Sequence, residues 1–286
     1  MDIDLVFIQE NCEFDNKPFF IERLSGGDIN EVFLIEETDR KWVVKRNNRL
    51  TFPEMLSKEY NALQFLTEDK SLNYPKPLAH FTDNKYQYLV IAYHEKGPND
   101  NKGQAKLGIQ LAQQHSLSAE TFGWHEDNYI GSLPQDNRPS TTWSDFYANN
   151  RLLAQTKLAY DKRLVGKEFL IKMERFCLQL DEVFPNEMPA LLHGDLWGGN
   201  YFITKSGEPL LYDPAIYFGH REIDIAMTRL FGGFSPDFYR SYNDSFSLES
   251  GWEDRTPFGQ MYPNMVHLNI FGTAYLGAVK PLIDKF

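Results

Sequence analysis

Short apolar runs punctuated by turns dominate the first third of the chain. Positions 18–24, 31–36 and 41–46 are rich in β-branched and aromatic side chains, which predicts three strands. Two more strands are predicted near positions 78–81 and at 86–93. Between them, apolar residues recur at helical spacing, which predicts one helix with Thr51 as its N-cap and Pro53 in its first turn.

The pattern changes after a polar segment rich in helix breakers at positions 95–103. Helical spacing then predominates, notably at 104–115, 142–159 and 167–180, and positions 261–276 are expected to form one closing core helix. The prediction is an α+β, bilobal fold. Its N-terminal lobe (1–95) carries an antiparallel five-stranded sheet plus a helix, and its C-terminal lobe (96–286) is mainly helical.

A loop within positions 189–214 carries the most informative motif, LLHGDLWGGN followed by LLYDP. Asn200 lies five positions after Asp195, and Asp213 occupies the next turn between apolar runs. Phosphoryl transfer from ATP needs a carboxylate to accept a hydroxyl proton, and an amide and a second carboxylate to hold Mg²⁺. The three residues match these roles and this spacing. The alternative is a turn in which Asp195 and Asn200 cap local backbone groups.

The N-terminal lobe offers a cation for the phosphates. Lys45 ends the third predicted strand in the sequence VVK, and Glu59 lies on the next predicted helix, where kinases place the carboxylate that holds such a lysine. The alternatives are an exposed charge at a strand end and a solvated helix face.

Two further segments are predicted to contact the nucleotide. Gly26, Gly27 and Asn30 belong to a loop between the first two strands, where backbone amides could approach phosphates closely; the alternative is an ordinary hairpin turn. The fifth strand ends at Tyr93, followed by His94 and Glu95, and we expect this connector to meet the adenine through its backbone.

Composition narrows the class of partner. The chain has 29 Lys plus Arg against 40 Asp plus Glu and a net charge of -11, which argues against nucleic acid or an anionic membrane as the main partner. We expect a small-molecule substrate. The start of the sequence lacks a basic and apolar targeting pattern, so the cytoplasm is the expected location. The sequence does not fix the oligomeric state, and a monomer or weak homodimer is expected.

Taken together, these motifs resemble the fructosamine/ketosamine kinase family, which is related to aminoglycoside and choline kinases. The resemblance implies a protein-kinase-like fold, in agreement with the two predicted lobes. The most specific segments are 192–200, 212–215, 217–222 and 231–234. The resemblance implies ATP- and Mg²⁺-dependent phosphorylation of the sugar of ketosamines, the glycation adducts of amines, giving an unstable product and so reversing glycation. It implies that Asp195 is the base, that Asn200 and Asp213 are metal ligands, and that Lys45 and Glu59 form the phosphate-binding pair.

The resemblance also implies a sugar site. Its predicted members are Trp197, Tyr217, His220 and Glu222, and a purely structural role is the open alternative for His220. His193 is interpreted as a brace of the loop, whereas Phe218, Phe231 and Phe234 are interpreted as core residues.

The sequence departs from the family and from protein kinases in two ways. Asp28 stands where several relatives carry cysteine, so a thiol-based dimer switch is not expected. After Asp213 there is neither a D-F-G triplet nor an A-P-E segment, which argues against a regulated protein kinase. Two alternatives stay open: a related kinase acting on an aminoglycoside, choline or a similar metabolite, and a catalytically silent nucleotide-binding scaffold.

Overall fold

A computed structural model gives the fold. It describes residues 5–12, 19–24, 29–37, 40–69 and 72–286. Gly26 and Gly27 of the predicted phosphate-binding loop, and Asp28 beside them, lie outside the described residues.

The first part of the described chain forms one sheet. Its strands are β1 (Phe19–Leu24), β2 (Glu31–Glu37), β3 (Arg40–Asn48), β4 (Pro77–Thr82) and β5 (Tyr86–Ala92). They lie in the order β1-β2-β3-β5-β4, and every neighbouring pair is antiparallel. The predicted antiparallel five-stranded sheet is therefore confirmed, and β3 occupies its centre.

The two faces of the sheet pack against different helices. Alternate side chains of a strand point to opposite faces, so Tyr88 and Val90 of β5 join Ile8 of helix α1 (Leu5–Asn11) in a small apolar cluster. Leu89 and Ile91 of the same strand belong instead to the large core that includes helix α2 (Met55–Glu68). The sequence pattern predicted α2 but not α1, because α1 is too short to show helical periodicity.

The predicted start of α2 is wrong. The helix begins after Glu54, which has a left-handed φ of 58° and no side-chain capping bond, so Thr51 is not the N-cap and Pro53 precedes the helix. Gln87 of β5 supplies the missing acceptor, because its Oε1 accepts a hydrogen bond from the backbone N–H of Leu56 at 3.0 Å.

The rest of the chain is mainly helical, as predicted. Its helices are α3 (Asn101–His115), α4 (Trp143–Phe146), α5 (Ala154–Asp161), α6 (Lys167–Cys177), α7 (Leu180–Val183), α8 (Glu222–Leu230), α9 (Pro236–Ser245), α10 (Trp252–Gly259), α11 (Met261–Phe271) and α12 (Leu276–Ile283). A π-helical segment (Tyr147–Leu153) joins α4 to α5, and a 3-10 turn (Thr273–Tyr275) precedes α12. In the part of the chain that the structure describes, no helix is long and apolar enough to span a bilayer.

The predicted closing helix is broken in two. Helix α11 ends at Phe271 because Gly272 takes a φ of 94°, which leaves helical geometry. Phe271, the last residue of α11, is exposed.

Three short two-stranded antiparallel sheets complete the helical part. They pair β6 (Asn128–Ile130) with β7 (Leu133–Gln135), β8 (Ala190–Leu192) with β11 (Tyr217–Gly219), and β9 (Tyr201–Ile203) with β10 (Pro209–Leu211). The segment after β5 joins one of them, because Gly97 N–H donates to the Ile203 carbonyl and Lys205 N–H donates to the Glu95 carbonyl, each at 2.8 Å. The predicted boundary between the two lobes, at residue 95, falls in this segment after β5 and stays a prediction.

Candidate active site

The loop between β8 and β9 holds Asp195 in a fixed position. Both flanking strands are short and largely buried, so they anchor the loop at each end. Within the loop, Asn200 Nδ2 donates to the Asp195 carbonyl oxygen at 2.9 Å and to its carboxylate Oδ2 at 3.0 Å. The five-residue spacing thus brings the predicted base and a predicted metal ligand into direct contact.

His193 braces this loop, in agreement with its interpretation from the sequence. Its Nε2 lies 3.0 Å from the Tyr212 carbonyl, to which it donates, so Nδ1 is left to accept the Asp195 backbone N–H at 3.2 Å. Burial lowers the pKa of His193, which keeps the imidazole neutral as this pattern requires. The residue is fully buried and makes no contact with the cleft that could move a proton.

Lys45 joins the two halves of the molecule. It lies on the central strand β3 with only 5% of its surface exposed, and its ammonium contacts the carboxylates of Glu59 on α2 and Asp213 after β10. Burial alone would lower the pKa of Lys45, but the two carboxylates outweigh it and raise the pKa. Lys45 is therefore a permanent cation whose orientation is set from both lobes.

The partners of Lys45 have different surroundings. Glu59 is nearly enclosed, and burial raises its pKa against the opposing effect of Lys45. The Asp213 side chain is 44% exposed toward the cleft, and its backbone has a φ of 55°, a left-handed value that is uncommon for a residue other than glycine. Non-glycine residues held in this region cluster at functional sites.

Asp195 has the pKa of a general base. Burial, followed by the negative charge of Asp213, raises the pKa of Asp195 from its ordinary value to about 7. A carboxylate of this kind accepts a proton more readily than an ordinary aspartate near neutral pH.

These side chains face one cavity of about 610 Å³. The part of its wall that lies on the sheet and on the β9–β10 hairpin is apolar, and is formed by Leu24, Val32, Val43, Ile91, Phe202 and Leu210. Tyr93, His94 and Asn30 also line it. Glu95 does not, because its exposed carboxylate points outward and pairs with Lys205 at 2.7 Å.

Two oxygen donors fit a hard divalent cation. Asn200 uses Nδ2 for Asp195, which leaves its carbonyl Oδ1 available, and the half-exposed Asp213 carboxylate faces the same cavity. Among the described residues, no group of three or more His, Cys, Asp or Glu side chains could hold a metal ion. Two protein oxygens suit Mg²⁺, which commonly takes one or two ligands from the protein and the rest from phosphate and water.

Comparison with known proteins places this geometry in a family. The fructosamine kinase family model matches residues 7–286. The chain belongs to this family. A relative from Enterococcus faecium, named a probable ketoamine kinase, is 36% identical over 263 residues, covering 91% of this chain and 93% of the relative.

Solved structures agree with the sequence match. The crystal structure of a "putative fructosamine-3-kinase" from Thermobifida fusca has a TM-score of 0.86 at 28% identity and covers 98% of this chain and 96% of its own. An amicoumacin kinase solved with AMP-PNP and Ca²⁺ has a TM-score of 0.64 at 12% identity, covering 98% of this chain and 91% of its own. The second likeness concerns the fold alone, and it confirms the protein-kinase-like architecture.

The predicted sugar site of this fructosamine kinase family member needs correction. Trp197 is 40% exposed and lines the cavity, as expected. Tyr217, His220 and Glu222 are buried and do not line it. Their side chains are enclosed by protein and do not face the cavity, so this structure gives no support to the predicted contact with a sugar there.

Each of the three has a structural role. The ring of Tyr217 lies under the Arg151 guanidinium at 4.1 Å, and His220 Nε2 donates to a backbone carbonyl at 3.2 Å. Glu222 accepts two hydrogen bonds from Arg255, at 2.8 and 2.6 Å. These three side chains are buried because the chain after Asp213 enters the core. There β11 pairs with the buried strand β8, which precedes the catalytic loop.

Asp224 is a functional residue that sequence analysis missed. It is buried on α8, and its two carboxylate oxygens accept the backbone N–H groups of His193 at 2.6 Å and Gly194 at 3.0 Å. His115 Nε2 lies 3.2 Å from the same carboxylate. Asp224 thereby fixes the backbone on which Asp195 is carried. The available signal was an acidic residue flanked in the sequence by two isoleucines, Ile223 and Ile225.

Gly194 permits the close approach of two loops. It has a φ of 84°, and a Cβ atom there would lie 2.0 Å from the Ala215 carbonyl oxygen. Ala215 N–H in turn donates to the His193 carbonyl at 2.8 Å. A side chain at position 194 would therefore separate Asp195 from the Asp213 turn.

Proposed function

We propose that the protein transfers the γ-phosphoryl group of ATP, bound with Mg²⁺, to a sugar hydroxyl of a ketosamine. The observation that carries this proposal is the convergence of Lys45, Glu59, Asp195, Asn200 and Asp213 on one cavity. Membership of the fructosamine kinase family supports the acceptor class. The proposed consequence is removal of glycation adducts, by a cytoplasmic monomer or weak homodimer.

The residues divide the reaction between two sides of the cavity. When bound, Mg²⁺-ATP supplies the phosphoryl group and neutralises charge on its oxygens. Lys45, held by Glu59, presents a cation to the phosphates, and Asp213 and Asn200 present oxygens for the metal. Asp195 accepts the proton of the attacking hydroxyl, and Asn200 fixes the orientation of that carboxylate.

Positioning accounts for most of this chemistry. Phosphoryl transfer leaves little covalent work for the protein, so its main contribution is to hold donor and acceptor in line. Asp224 and His193 contribute here by fixing the loop that carries Asp195. The apolar wall would hold the adenine, next to the backbone of Tyr93 and His94.

An ATP-consumption assay with a panel of acceptors tests the proposal. We expect rapid turnover with a fructosyl amino acid and much slower turnover with free fructose, choline or an aminoglycoside, because a site that hydrogen-bonds a substrate strongly rejects analogues lacking the bonded groups. Mass spectrometry of the acceptor should show one added phosphoryl group. Equal or faster turnover with choline or an aminoglycoside would refute the ketosamine assignment, and nucleotide binding without turnover of any acceptor would favour a silent scaffold.

A further inference from the structure

A row of aromatic side chains leads outward from the catalytic cavity. The rings of Trp197 and Phe231 lie 6.1 Å apart, and those of Phe231 and His267 lie 5.2 Å apart. His267 then stacks on Tyr275 at 5.0 Å and on Phe271 at 5.5 Å. We call these five residues the aromatic row. Because Trp197 lines the cavity, the row is continuous with the active site.

Much of the aromatic row is open to solvent. Phe231 is 46% exposed and Phe271 is 56% exposed, so the interpretation of Phe231 as a core residue is wrong. Gly232 and Gly233 explain this position, since both have left-handed φ values, of 72° and 97°. The turn they form packs against the catalytic loop so closely that a Cβ atom on Gly198 would lie 2.9 Å from the Gly232 carbonyl oxygen. Phe231 is thus held beside Trp197 by backbone contact.

The aromatic row is also uncharged. From Thr256 to Val279 the sequence contains no Asp, Glu, Lys or Arg. His267 Nδ1 donates to the Pro263 carbonyl at 2.6 Å, and burial lowers the pKa of His267, so its ring is neutral at neutral pH. A group bound here would be held by stacking and apolar contact, and exposed apolar surface of this kind commonly marks a binding site.

The geometry of the cavity directs the acceptor toward this row. Lys45 and Asp213 define the side on which the phosphates are proposed to lie, so the acceptor must approach Asp195 from another side. Trp197, two residues after Asp195, stands at the exposed edge of the cavity. A ketosamine whose sugar hydroxyl reaches Asp195 still has one large group to place, namely the substituent on its amine nitrogen.

We propose that the aromatic row binds the substituent on the amine nitrogen of the ketosamine and favours apolar or aromatic substituents. This inference rests on the proposed function and refines its substrate class. It assigns glycated amino acids and peptides with apolar residues as better acceptors than those with small ones. The selectivity should appear in KM, because the row touches the part of the acceptor that does not react.

Steady-state kinetics with fructosyl-glycine and fructosyl-phenylalanine test this inference. In the unaltered protein we expect a KM about tenfold lower for fructosyl-phenylalanine, the effect of one well-stacked aromatic contact. In Phe271→Ala and Phe231→Ala this advantage should fall to about twofold, and the ATP KM should stay nearly unchanged. Phe271→Trp should retain the advantage.

Phe20→Ala is the matched control. Phe20 is an exposed phenylalanine, at 60%, on strand β1 and outside the aromatic row, so its removal should leave the tenfold advantage intact. Because Phe271 is more than half exposed, Phe271→Ala should fold normally, and its melting temperature checks this.

The outcomes separate the two proposals. Equal KM values for the two acceptors in the unaltered protein would overturn the proposed role of the aromatic row. The proposed ketosamine kinase activity would still stand. An advantage that survives both alanine variants would overturn it as well. Failure to phosphorylate either acceptor would overturn both proposals, since the proposed function expects rapid turnover of fructosyl amino acids.

Discussion

The two sides of the catalytic cavity are lined by side chains of different chemical character. The phosphate side consists of charged groups on a central strand, a helix and one strained turn, with Lys45 buried between Glu59 and Asp213. The proposed acceptor side consists of uncharged aromatic rings on a loop and a helix end, several of them exposed. The phosphate side has one task, which is to neutralise and position the phosphates of ATP. The acceptor side can instead adapt to the shape of a substrate.

Asp195 lies where the two sides meet, and its replacement should have the largest effect. Asp195→Asn should lower turnover by about two to four orders of magnitude, because it removes the proton acceptor. Nucleotide affinity should remain nearly the same, since Asp195 is not proposed to touch ATP. Single-turnover kinetics and calorimetric titration with Mg²⁺-ATP measure the two quantities.

The stability of this variant provides its control. The pKa of Asp195 is raised in the folded state, so its ionisation at neutral pH opposes folding, and a neutral asparagine should not lower the melting temperature. A loss of turnover accompanied by a large fall in melting temperature would point to misfolding. Near-normal turnover would remove Asp195 from the role of base.

Replacement of Asp213 should affect the other side of the cavity. Asp213→Ala removes a carboxylate oxygen proposed to bind Mg²⁺, and we expect the dissociation constant of Mg²⁺-ATP to rise roughly 100-fold. Calorimetry with and without Mg²⁺ measures the effect. Asp237→Ala is a suitable control, because Asp237 is a carboxylate on α9 that pairs with Arg240 outside the cavity. Unchanged Mg²⁺-ATP affinity in Asp213→Ala would contradict the metal assignment.

The third prediction concerns pH. Because the pKa of Asp195 is about 7, the base is ionised above that pH and becomes protonated below it. The value of kcat/KM for the acceptor should therefore fall about tenfold per pH unit below pH 7 and level off above it. Measurement between pH 5.5 and 8.5, with ATP affinity followed over the same range as a control, tests this. A flat profile below pH 7 would show either that the pKa of Asp195 lies well below 7 or that Asp195 is not the base.

The sequence predicted the phosphate side better than the acceptor side for a physical reason. Asp195 and Asn200 are neighbours in one loop, so their spacing alone predicts contact. Lys45 and Glu59 lie on consecutive elements that pack together, and their roles follow from position on a strand and a helix. Where local spacing determines geometry, prediction from the sequence succeeded.

Residues whose positions depend on tertiary packing escaped prediction. Asp224 reaches the catalytic loop from a helix about thirty residues away, and a lone acidic residue on a helix does not reveal its partner. Phe231 is exposed beside the turn at Gly232 and Gly233, whose packing against the catalytic loop the sequence pattern does not reveal. Helix α1 was missed because seven residues carry too little periodicity.

The smallest catalytic effect is expected at Glu222, which the sequence assigned to the sugar site. Glu222→Ala should leave the KM values for ketosamine and ATP unchanged, because the side chain is buried away from the cavity. It should instead lower the free energy of unfolding by about 3 kcal/mol, since it strands the largely buried charge of Arg255. Thermal unfolding and steady-state kinetics at 20 °C separate these effects.

For Trp197→Ala, at another residue assigned to the sugar site, we expect the opposite of the Glu222→Ala result, namely an effect on KM rather than on stability. Trp197 is exposed at the cavity edge, so its loss should raise the ketosamine KM more than the ATP KM while changing stability little. If Glu222→Ala raised the ketosamine KM at an unchanged melting temperature, Glu222 would have to contact the acceptor during the reaction, in contradiction to its buried position. If both variants lowered stability and left KM alone, Trp197 would merely pack the loop, and acceptor recognition would have to lie elsewhere in the cavity.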